Sequence, residues 1–201
     1  MKAFYNDPLI KEKHILNLIN HYNTDEIIKD RYWEFGKGCA VCCTLHLNKD
    51  KDFESELGIP NILARFEDAI FQGLTKKLAK EFPMKFLTAI KVGADLSSVW
   101  KLFMVWVLTD SEYGIINSAE CKTSIQDVAD TYMRDTISPI TNKKEKEIID
   151  DAAAAYTSYA VAYIYAAVYS YAYRCTVYKI ARKQWYIEAS NKLIELLKEA
   201  N

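Results

Sequence analysis

The chain has 201 residues, half of them hydrophobic and about a quarter charged, with 26 Lys and Arg against 27 Asp and Glu. This composition can bury a real core and excludes a disordered chain. Because the charges nearly cancel, there is no global electrostatic pull toward nucleic acid or an anionic membrane, and only a local basic patch is allowed.

Six glycines and four prolines predict few turns and long regular elements. The five cysteines are an odd number, two of them (Cys42 and Cys43) adjacent, and they form no spaced framework. The start of the chain, from Met1 to Pro8, has no apolar signal core. The thiols therefore read as reduced and the protein as cytoplasmic.

From Pro8 onward, Ile10, Ile15, Leu16, Leu18 and Ile19 recur at helical spacing, with Asp7 as N-cap and Pro8 as first helical residue. Asn23 to Glu26 reads as a break, after which Thr24 caps a short helix carrying Ile27 and Ile28. Tyr32 to Phe35 is aromatic and irregular and leads into Gly36. A helix is predicted to start near Cys39 and to run through His46, with the polar stretch 48–52 as a loop. Gly58-Ile59-Pro60 separates a short turn from a helix that points Ile62, Leu63, Phe66, Ile70 and Phe71 inward, with Arg65, Glu67 and Asp68 between them and Gly73 as C-cap. Residues 75–91 are helical, and Pro83 splits them into two pieces. Asp95 or Ser97 caps the next helix. Its run from Val99 to Leu108 reads as a central, fully buried helix, far too short to span a bilayer. Residues 119–138 form another amphipathic helix, stopped by Pro139, and a charged start follows at 143–147.

From Ala152 to Tyr173 there are 22 residues without a charge. Tyr hydroxyls at mid-bilayer argue against a membrane span. Ala152, Tyr156, Tyr159, Tyr163 and Ala166 share one stripe, and Ala162, Tyr165, Tyr169 and Tyr173 another, as on a helix packed among neighbours. The end of the chain, with Leu193, Leu196 and Leu197, returns to an amphipathic pattern. Strand signals are almost absent. The expected fold is all-α, a single-domain helical bundle of about eight helices ending in a long helix or broken helix pair. In that reading the N-terminal part, 1–142, carries the motif and 143–201 the Ala/Tyr-rich segment.

The chemistry-bearing residues crowd into Gly36-Lys37-Gly38-Cys39-Ala40-Val41-Cys42-Cys43-Thr44-Leu45-His46. Gly36, Lys37 and Gly38 before a helix start suit an anion, because first-turn N–H groups are unpaired and glycines let the backbone approach closely. A plain turn into a helix explains the same residues. If Cys39, Cys43 and His46 lie on one helix, they fall at i, i+4 and i+7 on a shared face. Cys43 and His46 are then close enough to chelate zinc, whereas Cys39 and His46 are about 10 Å apart along the axis. The competing reading is a buried helix whose cysteines pack as small hydrophobes. In a third reading a thiol nucleophile, Cys39 or Cys43, takes His46 as base, Cys39 having its pKa lowered beside Lys37. Glu67 and Asp68 read as a solvated helix face unless Glu67 turns toward the motif. Trp33, Trp100, Trp106 and Trp185 read as packing residues before ligand platforms.

Tyr32-Trp33, the run from Gly38 to His46, Leu57 to Pro60, Leu63-Ala64, Leu74, Phe86 to Ile90, Gly93 to Ser97 and the Ala/Tyr tract followed by Lys192 to Leu197 together resemble an uncharacterised family of bacterial and phage proteins. That family has Gly at the position of Cys42, and Leu at the position of Phe66 in Phe66-Glu67-Asp68. The departure at Cys42 leaves Cys39, Cys43 and His46 as the matching motif residues. The resemblance implies a shared fold and a phage or prophage origin but no activity.

The expected function is a non-enzymatic binding protein that holds a small anionic ligand such as a nucleotide at Trp33, Gly36, Lys37, Gly38, Cys39, Cys43, His46 and Glu67. A phage origin would make it a sequestering agent against a host defence signal. The alternatives are an enzyme using Cys39 or Cys43 with His46, and a protein–protein interaction module, homo-oligomeric through the Ala/Tyr helix. No cofactor is expected, zinc at Cys43 and His46 being the alternative, and no nucleic-acid or membrane partner.

Overall fold

The computed structural model describes residues 1–29, 33–46, 53–117, 119, 122–137 and 176–201, without the side chains of 137 and 176–181. Within these residues the protein is an all-α helical bundle of eight α-helices. In chain order they are α1 (Pro8–Asn23), α2 (Ala40–Leu45), α3 (Phe53–Leu57), α4 (Asn61–Gly73), α5 (Lys76–Ala89), α6 (Val99–Thr109), α7 (Lys122–Ile137) and α8 (Thr176–Glu199). Two short strands, β1 (Trp33–Glu34) and β2 (Lys37–Gly38), form an antiparallel hairpin between α1 and α2. The Ala/Tyr stripes, the charged start at 143–147 and the boundary at 142 lie outside the described residues. No described helix is long and apolar enough to cross a membrane.

The chain divides into two compact units, one of Met1–Phe103 with Tyr186–Asn201 and one of Met104–Trp185. In the first, α1 begins as the sequence dictates, with the Asp7 carboxylate accepting from the Leu9 N–H and Pro8 at its first turn. The turn before it, Ala3–Asn6, is less ordinary, since Phe4, Tyr5 and Asn6 all have positive φ. Left-handed backbone at non-glycine residues costs about 1–2 kcal/mol each. The surroundings hold the turn in place. Phe4 is fully buried, and Ala3 exchanges backbone hydrogen bonds with Gly93 and Ala94 at 2.8 and 2.9 Å. At the far end of the chain, Asn201 ties its carbonyl to the Asp95 N–H at 2.8 Å.

The core of this unit is built on α4 and α5. Leu63, Phe66, Ile70 and Phe71 of α4 and Phe82, Phe86 and Leu87 of α5 are all buried. Pro83 does not split α5; one continuous helix passes through it. A proline in a helix interior forfeits one backbone bond but leaves room for continuation when tertiary packing holds both sides, and Pro83 is buried between Phe82 and Phe86. Lys11 of α1 caps the end of α5, donating to the Thr88 and Ile90 carbonyls at 3.1 and 2.6 Å. Gly73 is not the expected C-cap, because α4 includes it and Leu74 follows as cap. It is a glycine for space: a Cβ there would collide with the Tyr186 ring of α8. In α8, Leu193, Leu196 and Leu197 are buried as their spacing predicts.

Helix α6 is fully buried on one side only, where the sequence predicts a wholly buried rod. Val99, Phe103, Met104, Val107 and Leu108 are buried, while Trp100, Lys101, Leu102, Val105 and Trp106 are half-buried. In the second unit the Trp106 ring lies 6.2 Å from Tyr113 and 6.1 Å from Trp185, whose indole N–H donates to the Tyr113 carbonyl at 3.0 Å. The Trp185 indole N–H thus finds its partner within the aromatic cluster.

Candidate functional site

The motif between α1 and α2 is held by backbone pairing that the sequence pattern hid. Thr24 closes α1 as its C-cap, and no helix follows. Residues 26–28 instead lie along β2. Gly38 donates to the Glu26 carbonyl at 3.0 Å and accepts from the Ile28 N–H at 2.9 Å. Phe35 and Gly36 form the hairpin tip, both with positive φ, and Phe35 is 93% exposed. Positive φ at both tip positions gives the twist that two-residue hairpins favour, normally supplied by Asn-Gly or Gly-Gly. The missing alternation and the unusual Phe at the tip explain why no strand was expected here.

Helix α2 has only six residues, Ala40–Leu45. Cys39 stands before it as N-cap, and His46 stands after it as C-cap in the left-handed region, at φ 53° and ψ 46°. Such short helices are not stable alone. Here α1 supplies what is missing, since the Thr44 carbonyl accepts from His14 Nδ1 at 2.8 Å and from Asn17 Nδ2 at 3.3 Å. The left-handed turn at His46 corrects the one-face expectation. Cys39 and Cys43 are buried, whereas His46 leaves the helix and is exposed.

The turn delivers His46 to His21, near the end of α1. His46 Nδ1 and His21 Nε2 are 2.8 Å apart, and His21 Nδ1 lies 2.6 Å from Glu26 Oε2. Hydrogen bonds from Thr24 and His21 hold the Glu26 carboxyl below its ordinary range. A carboxylate only accepts, so His21 Nδ1 carries a proton toward it, and His21 Nε2 shares a proton with His46 Nδ1. Trp33 walls the pair, its ring centroid 5.3 Å from that of His21 and 5.5 Å from that of His46, both edge-on. Lys37, exposed on β2, adds a positive charge near Glu26. The result is a carboxylate–imidazole–imidazole chain running from Glu26 to an exposed ring. It can pass a proton along its length, or present the outer nitrogen of His46 as a donor or an acceptor.

The other side of α2 is dry. Cys39 Sγ donates to Cys42 Sγ at 3.4 Å, and Cys43 Sγ donates to the Gly38 carbonyl at 3.4 Å. Burial pushes the Cys43 thiol up to about 12. The Cys39 thiol is also raised, by its hydrogen bond to Cys42 and by burial, so the expected lowering beside Lys37 does not occur. Glu67 of α4 is not on a solvated face. It is fully buried, neither carboxyl oxygen has a hydrogen-bond partner, and burial, then the Asp68 and Cys39 charges, raises its pKa far above the carboxyl range. Burial without a partner favours its protonated form.

The eight expected site residues thus fall into two assemblies. Trp33, Gly36, Lys37 and His46 border the imidazole chain, while Cys39, Cys43 and Glu67 lie in the dry interior and Gly38 joins the two through its backbone. Cys43 and His46, the candidate zinc pair, bond to different partners, and no group of three or more His, Cys, Asp or Glu side chains among the described residues is arranged to hold a metal ion. Two important residues, His21 and Glu26, were not anticipated. Their five-residue separation straddles a helix end, and only the chain reversal at Thr24 brings them together. The Cys-x-x-Cys spacing of Cys39 and Cys42 was in plain view in the sequence. No protein-family model, curated protein or solved structure matches the chain.

Proposed function

We propose that the protein binds a small anionic ligand, of the phosphate-bearing nucleotide kind, at the exposed face of His46, with Trp33 beside it and Lys37 nearby. The observation that carries this reading is the Glu26–His21–His46 chain. Glu26 accepts from His21 Nδ1 and fixes the ring pair, and the outer nitrogen of His46 faces solvent, where as an N–H it can donate to an anion. Lys37 adds long-range attraction, and the Trp33 ring offers an edge or face to a base. In a phage setting such a site would serve to sequester a nucleotide signal.

The test is a thermal-shift panel of inorganic pyrophosphate, nucleoside monophosphates, cyclic nucleotides and NAD-derived nucleotides. A ligand present at about a hundred times its dissociation constant adds about 2.7 kcal/mol, a rise of several degrees in Tm. At least one compound is expected to give that rise in the wild type and none in His46→Ala. No rise with any compound, or a rise that survives His46→Ala, overturns the reading.

The same chain of hydrogen bonds favours one further reading, an enzyme in which His46 moves a proton to or from a substrate. Turnover of a bound nucleotide, followed by phosphorus NMR and lost in both His46→Ala and Glu26→Gln, distinguishes catalysis from binding alone.

A further inference from the structure

We infer that Cys39 and Cys42 are a redox pair that closes to a disulfide by exchange with a small disulfide such as oxidised glutathione. The geometry is that of a dithiol at rest. Two residues separate the cysteines, one stands at the N-cap of α2 and the other a turn later, and their sulfurs are 3.4 Å apart. A disulfide needs about 2.05 Å, so closure moves the sulfurs together by roughly 1.4 Å, within the reach of side-chain rotation.

The pair is asymmetric in a way that assigns the roles. Cys39 is buried and Cys42 is half-exposed, so an incoming disulfide meets Cys42 first. Cys39 donates its S–H toward Cys42, which favours a thiolate on Cys42 and disfavours one on Cys39. Asp68, on α4, is near enough for its charge to raise the Cys39 thiol further. Cys43, the third thiol, takes no part; it is tied to the Gly38 carbonyl and held protonated by burial.

The steps balance without any other oxidant. The Cys42 thiolate attacks one sulfur of the small disulfide; a bond forms between Cys42 Sγ and that sulfur, and the other half leaves as a thiolate. Cys39 then gives its proton to the thiolate released in the first step and attacks Cys42 Sγ; the Cys39–Cys42 bond forms, and the second half leaves as a thiolate. Two protein thiols are oxidised by two electrons, and the small disulfide is reduced to two thiols. Closure would tighten the start of α2, the helix whose far end positions His46, and would so place the exposed histidine under redox control.

The experiment is equilibration of the full chain in glutathione buffers from fully reduced to fully oxidised, followed by acid quench, alkylation and peptide mapping. The expected result is the paired loss of the Cys39 and Cys42 thiols with a Cys39–Cys42 crosslink, while Cys43 remains alkylatable. In Cys39→Ser, a glutathione adduct should accumulate on Cys42. Cys43→Ser should close as the wild type does, and circular dichroism reports whether each variant is folded. A glutathione adduct on Cys42 of the wild type that never resolves overturns the inference, as does a crosslink mapped to another cysteine or retention of both thiols in oxidised buffer.

Discussion

The two ends of α2 hold the same kinds of polar groups in opposite states. At its C-terminal end, Glu26 is ionised and every link to His21 and His46 is a short hydrogen bond. At its N-terminal side, Glu67 is buried without a hydrogen-bond partner, which favours its protonated form, and burial likewise raises the Cys43 thiol nearby. Two glutamates flanking one six-residue helix thus differ in charge because one has donors and solvent and the other has neither. The wet end leaves the His46 ring open to solvent. The dry side stores an unmet polar group, whose cost falls on the stability of the fold.

The sharpest way to break this comparison is Glu67→Gln. A carboxyl whose folded pKa is raised binds its proton more tightly in the folded protein than in the unfolded chain. Its contribution is full below the ordinary carboxyl pKa and is lost as pH rises toward and through the folded value. One proton gives a slope of about 1.4 kcal/mol per pH unit across that window. Glu67→Gln removes the slope, so the variant should match the wild type near pH 4 and exceed it in Tm increasingly above that. Parallel stability curves would mean that Glu67 is ionised and partnered after all.

At the wet end, the substitution of largest effect is His21→Ala. It deletes a buried ring that bonds both Glu26 and His46, and it removes one of the two edge contacts of Trp33. Lost hydrogen bonds and the cavity together predict a cost of about 2–4 kcal/mol in urea denaturation, with unchanged m. A cost below about 0.5 kcal/mol, ordinary for a surface site, would show that the chain of rings is an incidental contact.

How much of this the sequence discloses depends on the range of the interaction. Asp7 and Pro8 at the start of α1, and the leucines of α8, follow from local rules, and the structure agrees with them. Gly73 and Pro83 mislead because distant packing overrides local habit: Tyr186 requires the glycine, and the buried core carries the helix past the proline. The motif itself was legible as a cluster but not as a geometry. A left-handed residue at His46 ends the helix and turns the ring away from Cys39 and Cys43, and nothing in a histidine's identity announces that conformation. Nothing local marks His21, because its partners come from a chain reversal and from across a hairpin.

Phe35 offers a smaller test at the same end. A bulky side chain held at φ 51°, almost wholly in water, works against the local backbone and gains nothing from burial. Asn tolerates that conformation and makes the favoured Asn-Gly tip. Phe35→Asn should therefore stabilise the protein by about 1 kcal/mol, seen as a raised urea midpoint. If it also weakens the nucleotide-induced shift in Tm, the phenylalanine is retained as part of the binding face. If the shift is unchanged, the face ends at Trp33 and His46.

The smallest effect, and the counterpart of the first, belongs to Glu26→Gln. Hydrogen bonds from Thr24 and then His21 depress the Glu26 carboxyl, so its contribution has the opposite sense to that of Glu67. It is present above the unfolded carboxyl pKa and lost as pH falls through the folded value. Glu26→Gln should lower Tm at neutral pH and converge with the wild type in acid, by a modest amount because solvent reaches and screens the group. Glu67→Gln should raise Tm at neutral pH and converge in the same acid range. The two glutamates share no hydrogen-bond partner, so the effects should add in the double variant. Strong non-additivity would mean that Glu26 and Glu67 feel each other through α2, and that the wet and dry sides form a single electrostatic unit.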